Sequence, residues 1–190
     1  MKDIGADIIA TTGGFVDVAI VTHEHQDHVN GLTPGNFPGL KVGKVWYAWT
    51  ENPKDGVANE LRKKFKDRLL GLIDTRANLL GIGQNDAANG IGYYIELELG
   101  EDAADFNGLQ HLAAAGKDPA KSANKIAMKF LRDCAPADPD YLYPHGKPRR
   151  VPGAASARAF VLGPPRDMDK ITISIRSVRR ISATRAMRSA

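Results

Sequence analysis

The order of apolar and polar residues predicts an early helix that is followed by a strand. Ile4, Ile8 and Ile9 recur at helical spacing over residues 1–11 and form one apolar face. The two glycines after Thr12 can adopt the left-handed conformation that commonly ends a helix. We therefore expect a short amphipathic helix that ends at these glycines.

Three apolar runs predict strands. The first covers residues 15–21, where the wholly apolar sequence from Val18 to Val21 is typical of a strand buried on both faces. Aromatic and β-branched residues at 44–49 predict a second strand, and residues 159–163 predict a third that ends at two prolines. Because helical patterns lie between these strands, the predicted fold class is α/β.

Helices are predicted between the second and third strands. Residues 54–80 carry apolar side chains at steps of three and four, and a further helix is predicted to follow Pro119 and to extend to about Arg132. Glycines interrupt residues 81–92, and we expect a helical segment at 93–99 that either follows this stretch or includes part of it.

The remaining segments give weaker patterns. Residues 108–115 predict one or two helical turns, and residues 134–157 are rich in proline and predict irregular structure. Trp46 and Trp49 lie on the second predicted strand, where such side chains either belong to the core or line a cleft. Burial in the core is the commoner outcome.

Length and composition favour one globular domain. The chain has 190 residues, of which 43% are hydrophobic and 25% are charged, as is ordinary for a soluble protein. No apolar run approaches the ~20 residues that cross a membrane, and acidic residues occupy positions where a signal peptide would be basic. We therefore expect a cytoplasmic protein without a membrane partner. The single cysteine, Cys134, excludes an internal disulfide.

The positive charge is concentrated at the C-terminal end. Residues 176–190 contain five arginines and no acidic residue, and the net charge of +4 becomes −1 when these five are left out. A nearly neutral remainder gives no support for a nucleic-acid partner of the domain. We therefore divide the chain into a domain at 1–171 and a basic tail at 172–190. The tail is expected to be disordered, and it either contacts nucleic acid or is a solvated end.

The clearest chemical signal directly follows the first predicted strand. His23, His25, Asp27 and His28 form the pattern H-x-H-x-D-H, so three of the five histidines lie within six residues. Neutral imidazole and carboxylate groups are the usual ligands of zinc and similar divalent ions. Ligands bind at the carboxyl ends of strands in open α/β sheets, and a helix is predicted from about Asp27 to before Pro34. The alternative is a solvated loop with coincidental histidines.

The segment T-H-E-H-Q-D-H-V-N-G resembles the signature of the metallo-β-lactamase-fold metallohydrolases. The resemblance implies an αββα sandwich, with hydrolysis by a metal-activated water between its sheets. It implies that His23 and His25 bind one metal and that Asp27 and His28 bind a second. By the same resemblance, Asp27 also orients the attacking water. Zinc is the expected metal, with iron or manganese as alternatives, and the expected partner is a small-molecule substrate.

Two departures from the family pattern indicate an incomplete member. Only 22 residues precede the motif, where the family has several strands, and no Gly-Asp dipeptide supplies the usual bridging aspartate. The later histidines are His111, whose apolar neighbours suit a structural role, and His145, which is either a fifth ligand or an exposed loop residue. We therefore expect a partial domain with little turnover. The alternative function is a non-catalytic metal-binding fragment or interaction module.

Overall fold

The computed structural model describes residues 1–99 and 123–167. It confirms the predicted succession of an early helix, a strand, a short helix and a second strand. In chain order the elements are α1 (Lys2–Thr12), β1 (Phe15–Val21), α2 (Gln26–Val29), β2 (Lys41–Ala48), a 3-10 turn (Trp49–Glu51), α3 (Gly56–Gly81), α4 (Asn85–Leu99), α5 (Ala123–Asp133), β3 (Asp140–Leu142), β4 (Arg149–Val151) and β5 (Ala154–Ala159).

Three parallel strands make up the main sheet, in the order β1-β2-β3. Phe15 lies opposite Lys41 and Val21 opposite Tyr47, so β2 accompanies β1 along its whole length. β3 is shorter and pairs with the second half of β2. A separate antiparallel hairpin is formed by β4 and β5. The described residues therefore have a mixed α/β fold with a small parallel sheet, as the order of helical and strand patterns predicted.

The main apolar core lies between the sheet and α5. The Tyr47 hydroxyl donates a hydrogen bond of 2.7 Å to the backbone carbonyl of Met128. α5 buries Ala127, Met128 and Leu131, which lie on one side of the helix. Ile126 points away and is 55% exposed. The buried members of this core are Val21, Val29, Phe37, Leu40, Val42, Val45, Tyr47, Ala127, Met128 and Leu131.

Trp46 of β2 and Trp49 of the following turn are both buried. This confirms the favoured prediction that they belong to the core rather than line a cleft. Trp46 is 2% exposed and Trp49 is fully buried. The Trp49 indole N–H donates a hydrogen bond of 2.8 Å to the carbonyl of Pro164. Its ring stacks with Tyr143, and the Arg166 guanidinium carbon lies 4.7 Å from a ring centroid of the indole. These contacts hold the segment after β5 against the end of β2.

Arg166 also joins this segment to the start of α3. Its guanidinium nitrogens lie 2.6 and 3.3 Å from the two carboxylate oxygens of Asp55. Asp55 is the N-cap of α3 and accepts a hydrogen bond of 3.0 Å from the backbone N–H of Ala58. The hydrogen bonds from Arg166 and then from Ala58 lower the pKa of Asp55 to about 2.

The structure differs from the prediction at β1 and after β5. Phe15 and Ile20 are 48% and 53% exposed within the described structure, so the prediction that β1 is buried on both faces was wrong. β1 is an edge strand of the sheet that the described residues form, which leaves part of it open. The strand predicted at 159–163 was also wrong, because β5 ends where it was to begin and Phe160 and Leu162 are exposed.

α4 is longer than its glycine content predicted. The helix continues through Gly90 and Gly92, so the predicted segment at 93–99 includes the second part of the glycine-interrupted stretch. A Cβ at Gly92 would lie 3.0 Å from the Arg76 side chain of α3, so the missing side chain allows the two helices to approach. This packing compensates for the low helix propensity of glycine. The two helices also share a small apolar core, formed by Leu69, Ile73 and Ile95.

The other predictions have mixed outcomes. The three short strands β3, β4 and β5 form within or next to residues 134–157, which were predicted to be irregular. The helical turns predicted at 108–115, the residue His111 and the basic tail at 172–190 lie outside the described residues. Among the helices of the described ranges, none combines the length and apolar character needed to cross a bilayer.

Candidate metal centre

The histidine motif lies in the loop at the carboxyl end of β1. β1 ends at Val21, which is 7% exposed, and His25 is the N-cap residue of α2. The backbone N–H groups of His28 and Val29 donate hydrogen bonds of 3.0 and 3.2 Å to the His25 carbonyl. Val29 itself is fully buried in the main core. The loop is therefore anchored by a strand before it and by a core residue after it.

Three motif side chains converge on one point. His23, His25 and Asp27 each offer a potential ligand atom, and these atoms lie within 4.8 Å of one another. Ligands of a tetrahedral zinc ion lie about 3.4 Å apart when each is about 2.1 Å from the metal, so small side-chain rotations would complete such a site. His28 lies beside the group, with its ring centroid 3.8 Å from that of His23 and its Nε2 3.5 Å from the Asp27 carboxylate.

Each histidine of the H-x-H pair has one ring nitrogen engaged by another side chain. The His23 Nδ1 lies 3.0 Å from the Thr22 hydroxyl oxygen, and the His25 Nε2 lies 2.8 Å from Glu98 Oε1. A metal ligand needs a ring nitrogen with a free lone pair. The ring nitrogens without these contacts are Nε2 of His23 and Nδ1 of His25.

The environment of His23 favours its neutral form. Burial lowers the pKa of this imidazole, and the neighbouring His28 and His25 lower it further. The Asp27 carboxylate has a smaller, opposing effect on the same pKa. Since a histidine must be deprotonated at the coordinating nitrogen to bind a metal, the lowered pKa extends the pH range in which His23 can do so.

Three glutamates from different parts of the chain come together at the motif loop, where Glu24 interacts electrostatically with both Glu51 and Glu98. Glu24 belongs to the motif loop and pairs with Lys125 of α5 at 2.7 Å. Glu98 reaches His25 from the end of α4, and burial raises the pKa of its carboxyl although the charge of His25 opposes this. Glu51 follows β2 and is close enough to Glu24 for the two charges to interact. The sequence analysis missed Glu98, Glu51 and Lys125, because no local pattern relates them to the motif.

Asn124 connects the start of α5 to the end of α4. Its side chain is buried, and its Nδ2 donates hydrogen bonds of 3.1 and 3.0 Å to the carbonyls of Leu97 and Glu98. Carbonyls near the C-terminus of a helix commonly accept hydrogen bonds from outside it, and this amide donates to two of them. Since Lys125 follows Asn124 directly, the first turn of α5 contacts both α4 and the motif loop.

His145 is not a member of the described cluster. It lies in the exposed turn between β3 and β4 and has a φ of 64°. A positive φ is unusual for a residue other than glycine, and here it belongs to the reversal of the chain. This position agrees with the interpretation of His145 as an exposed loop residue. The structure gives no support for its use as a fifth ligand.

Replacing Glu51 with glutamine is expected to raise stability near neutral pH. Burial raises the pKa of this carboxyl above its ordinary value of 4.5, and the charge of Glu24 raises it further. The folded protein therefore binds the proton more tightly than the unfolded chain does. The resulting stabilisation is complete below about pH 4.5 and is lost as the pH rises through the folded-state pKa. Glu51→Gln should therefore raise Tm at pH 7 and change it little near pH 4.

Glu60→Gln is the matched control for this prediction. Glu60 is exposed on α3, and its pairing with Lys64 at 2.7 Å lowers the pKa of its carboxyl. The Glu60–Lys64 pair stabilises the folded protein above the ordinary pKa of the carboxyl, and this stabilisation is lost as the pH falls. Glu60→Gln should therefore lower Tm slightly at pH 7. Circular dichroism melts at both pH values compare the proteins. Identical melts of Glu51→Gln and wild type at pH 7 would show that burial does not destabilise the Glu51 carboxylate.

The cluster offers imidazole and carboxylate ligands on a surface that is open to solvent. The side chains of Asp27 and His28 are 61% and 43% exposed, whereas the supporting Glu98 side chain is 18% exposed. Such an arrangement can hold a divalent cation and keep one side open to water. No family model, curated protein or solved structure matches the chain.

Proposed function

We propose that the chain is a metal-dependent hydrolase with a site of the metallo-β-lactamase type. The observation that carries the proposal is the convergence of His23, His25 and Asp27, whose ligand atoms lie within 4.8 Å of one another. Their position between a parallel strand and a helix supports it, because ligands bind at the carboxyl ends of such strands. In this proposal the described residues form part of an αββα sandwich.

Zinc is the proposed metal, with iron or manganese as alternatives. His23 would bind it through Nε2 and His25 through Nδ1, since their other ring nitrogens are engaged. Asp27 and His28 would hold a second ion if two are bound. A bound divalent ion lowers the pKa of water towards ~7 and polarises the group that the water attacks.

Asp27 is the proposed catalytic residue. It lies in the first turn of α2, and its exposed carboxylate is accessible to water and to substrate. A carboxylate that accepts a hydrogen bond from water orients an oxygen lone pair towards a carbonyl or phosphoryl group. The proposed substrates are small molecules with a β-lactam, thioester or phosphodiester bond. The near-neutral charge of the chain before residue 176 does not favour a nucleic acid.

A non-catalytic metal-binding module is the second candidate. The small number of converging ligands favours this candidate. Within the described residues one group of potential metal ligands is found, and it has three members: His23, His25 and Asp27. Even with His28 included, four side chains supply fewer ligands than two tetrahedral ions require. In this case the bound ion would order the motif loop without activating water for attack.

Hydrolysis by the zinc-loaded chain distinguishes the two candidates. The substrates are an activated phosphodiester, a thioester and a chromogenic β-lactam. We expect slow hydrolysis of at least one of them, with a rate that Asp27→Asn lowers by about 100-fold or more, as for the loss of a positioned acid–base group. Asp7→Asn, at an exposed position of α1, is the matched control and should retain the wild-type rate.

Elemental analysis of the same samples reports how much zinc each protein holds. Zinc binding without hydrolysis of any substrate would favour the metal-binding module. Hydrolysis that persists after removal of zinc with a chelator would contradict the proposed metal dependence. Equal rates for the wild type and Asp27→Asn would contradict the role assigned to Asp27.

A further inference from the structure

Glu98 joins a histidine of the motif to a distant part of the chain. Its Oε1 lies 2.8 Å from Nε2 of His25, a distance typical of a charge-assisted hydrogen bond. The Glu98 side chain is 18% exposed and that of His25 is 35% exposed, so water competes only partly for this contact. This carboxylate comes from α4 and not from the motif, so the packing of α4 determines its position.

The contact favours one of the two positions for the proton of a neutral His25. A carboxylate accepts hydrogen bonds, so the hydrogen of a neutral His25 is held on Nε2. The lone pair is then on Nδ1, on the other side of the ring. Histidines that bind metals commonly donate their second ring N–H to a carboxylate, which fixes both the tautomer and the ring orientation.

The end of α4 is held firmly enough to place Glu98. Asn124 binds the carbonyls of Leu97 and Glu98 with its buried side-chain amide. One turn earlier, Ile95 is 1% exposed and packs against Leu69 and Ile73 of α3. Two independent contacts therefore fix the backbone from which the Glu98 side chain extends.

We infer that Glu98 is a positioning residue that holds His25 as the Nε2–H tautomer and thereby presents Nδ1 to the metal. The inference rests on the proposed function, because it assigns Glu98 to the same metal site. Glu98 is not assigned as a ligand, since its carboxylate contacts Nε2 of His25 and it is not a member of the converging group of His23, His25 and Asp27. In this inference, α4 supplies the carboxylate that orients a ligand of the metal centre, and α3 holds α4 in place.

The tautomer can be measured directly in the metal-free full chain. Long-range proton–nitrogen NMR spectra at pH 8 distinguish Nε2–H from Nδ1–H histidines, and the absence of one signal set in His25→Ala assigns them. We expect the Nε2–H form in the wild type and in Glu98→Gln, whose amide oxygen can still accept the hydrogen bond. Glu98→Ala should give a mixture of the two forms. Glu96→Ala, on the same helix, should match the wild type.

Zinc affinity provides the second measurement. Competition with a chromophoric chelator should show a roughly 10–100-fold weaker affinity in Glu98→Ala, as for other lost partners of ligating histidines. Glu98→Gln should recover most of that loss, and Glu96→Ala should show none. Circular dichroism melts of each variant confirm that it is folded at the temperature of the measurements.

The results separate failure of this inference from failure of the proposed function. A wild type that binds no zinc would overturn the proposed metal site and this inference with it. A wild type that binds zinc, but in which His25 is an Nδ1–H tautomer or has the same tautomer in Glu98→Ala, would overturn the inference alone. Equal zinc affinities of Glu98→Ala and the wild type would also overturn it.

Discussion

The His25→Ala variant is expected to lose tight zinc binding. His25 is one of three residues whose ligand atoms converge within 4.8 Å, and its backbone begins α2. Removing a ligand should weaken affinity by more than the roughly 10–100-fold that removal of a ligand's hydrogen-bond partner costs. Elemental analysis after gel filtration, together with chelator competition, measures the loss.

His145→Ala is the matched control for His25→Ala. The substitution is the same, but His145 lies in an exposed turn outside the described cluster. This variant should retain the zinc content and affinity of the wild type. Equal zinc content in His25→Ala and the wild type would exclude the proposed centre, whereas loss of zinc in both histidine variants would indicate a site different from the one proposed.

The Trp49→Ala variant is expected to lower the free energy of unfolding by about 3–5 kcal/mol, the usual cost of deleting a buried aromatic side chain. Trp49 is fully buried, stacks with Tyr143 and donates its indole N–H to the Pro164 carbonyl. Its removal leaves a cavity and also releases the segment that Arg166 anchors. Urea unfolding followed by circular dichroism measures the change.

Two further variants test the cause of that loss. Trp49→Phe keeps an aromatic ring but cannot donate to Pro164, so its loss of stability should be intermediate. Phe160→Ala removes an aromatic side chain that is 67% exposed and should change stability by no more than about 0.5 kcal/mol. A loss below about 1 kcal/mol for Trp49→Ala would contradict the packing described for this residue.

Local patterns predicted the framework of the centre. A few neighbouring residues are enough to predict the apolar face of α1, the glycine that ends it and the apolar strand β1. Together these elements place the motif at the end of a strand. Gly13 has the expected left-handed conformation, with a φ of 63°. The motif was recognised from its own spacing, and its four residues lie together in the structure. These features need no information from distant parts of the chain.

The supporting residues could not be predicted in this way, because their partners are remote in sequence. Lys125 pairs with Glu24 across 101 positions, and Glu98 approaches His25 only after α4 has packed against α3. The exposure of β1 is likewise a property of its place in the sheet rather than of its sequence. The continuation of α4 through Gly92 depends on a contact with Arg76 that no helical propensity describes.

The parallel pairing of β2 with β3 also affects how fast the protein reaches this structure. The two strands are separated along the chain by α3, α4 and α5. Closing so long a loop costs entropy before any contact compensates for it, and topologies rich in distant contacts fold slowly. The contacts of the motif loop with Glu98 and Lys125 also join distant parts of the chain, so we expect them to form late in folding. Zinc added at the start of refolding would meet a His25 that Glu98 does not yet contact and a motif loop that Lys125 does not yet hold through Glu24.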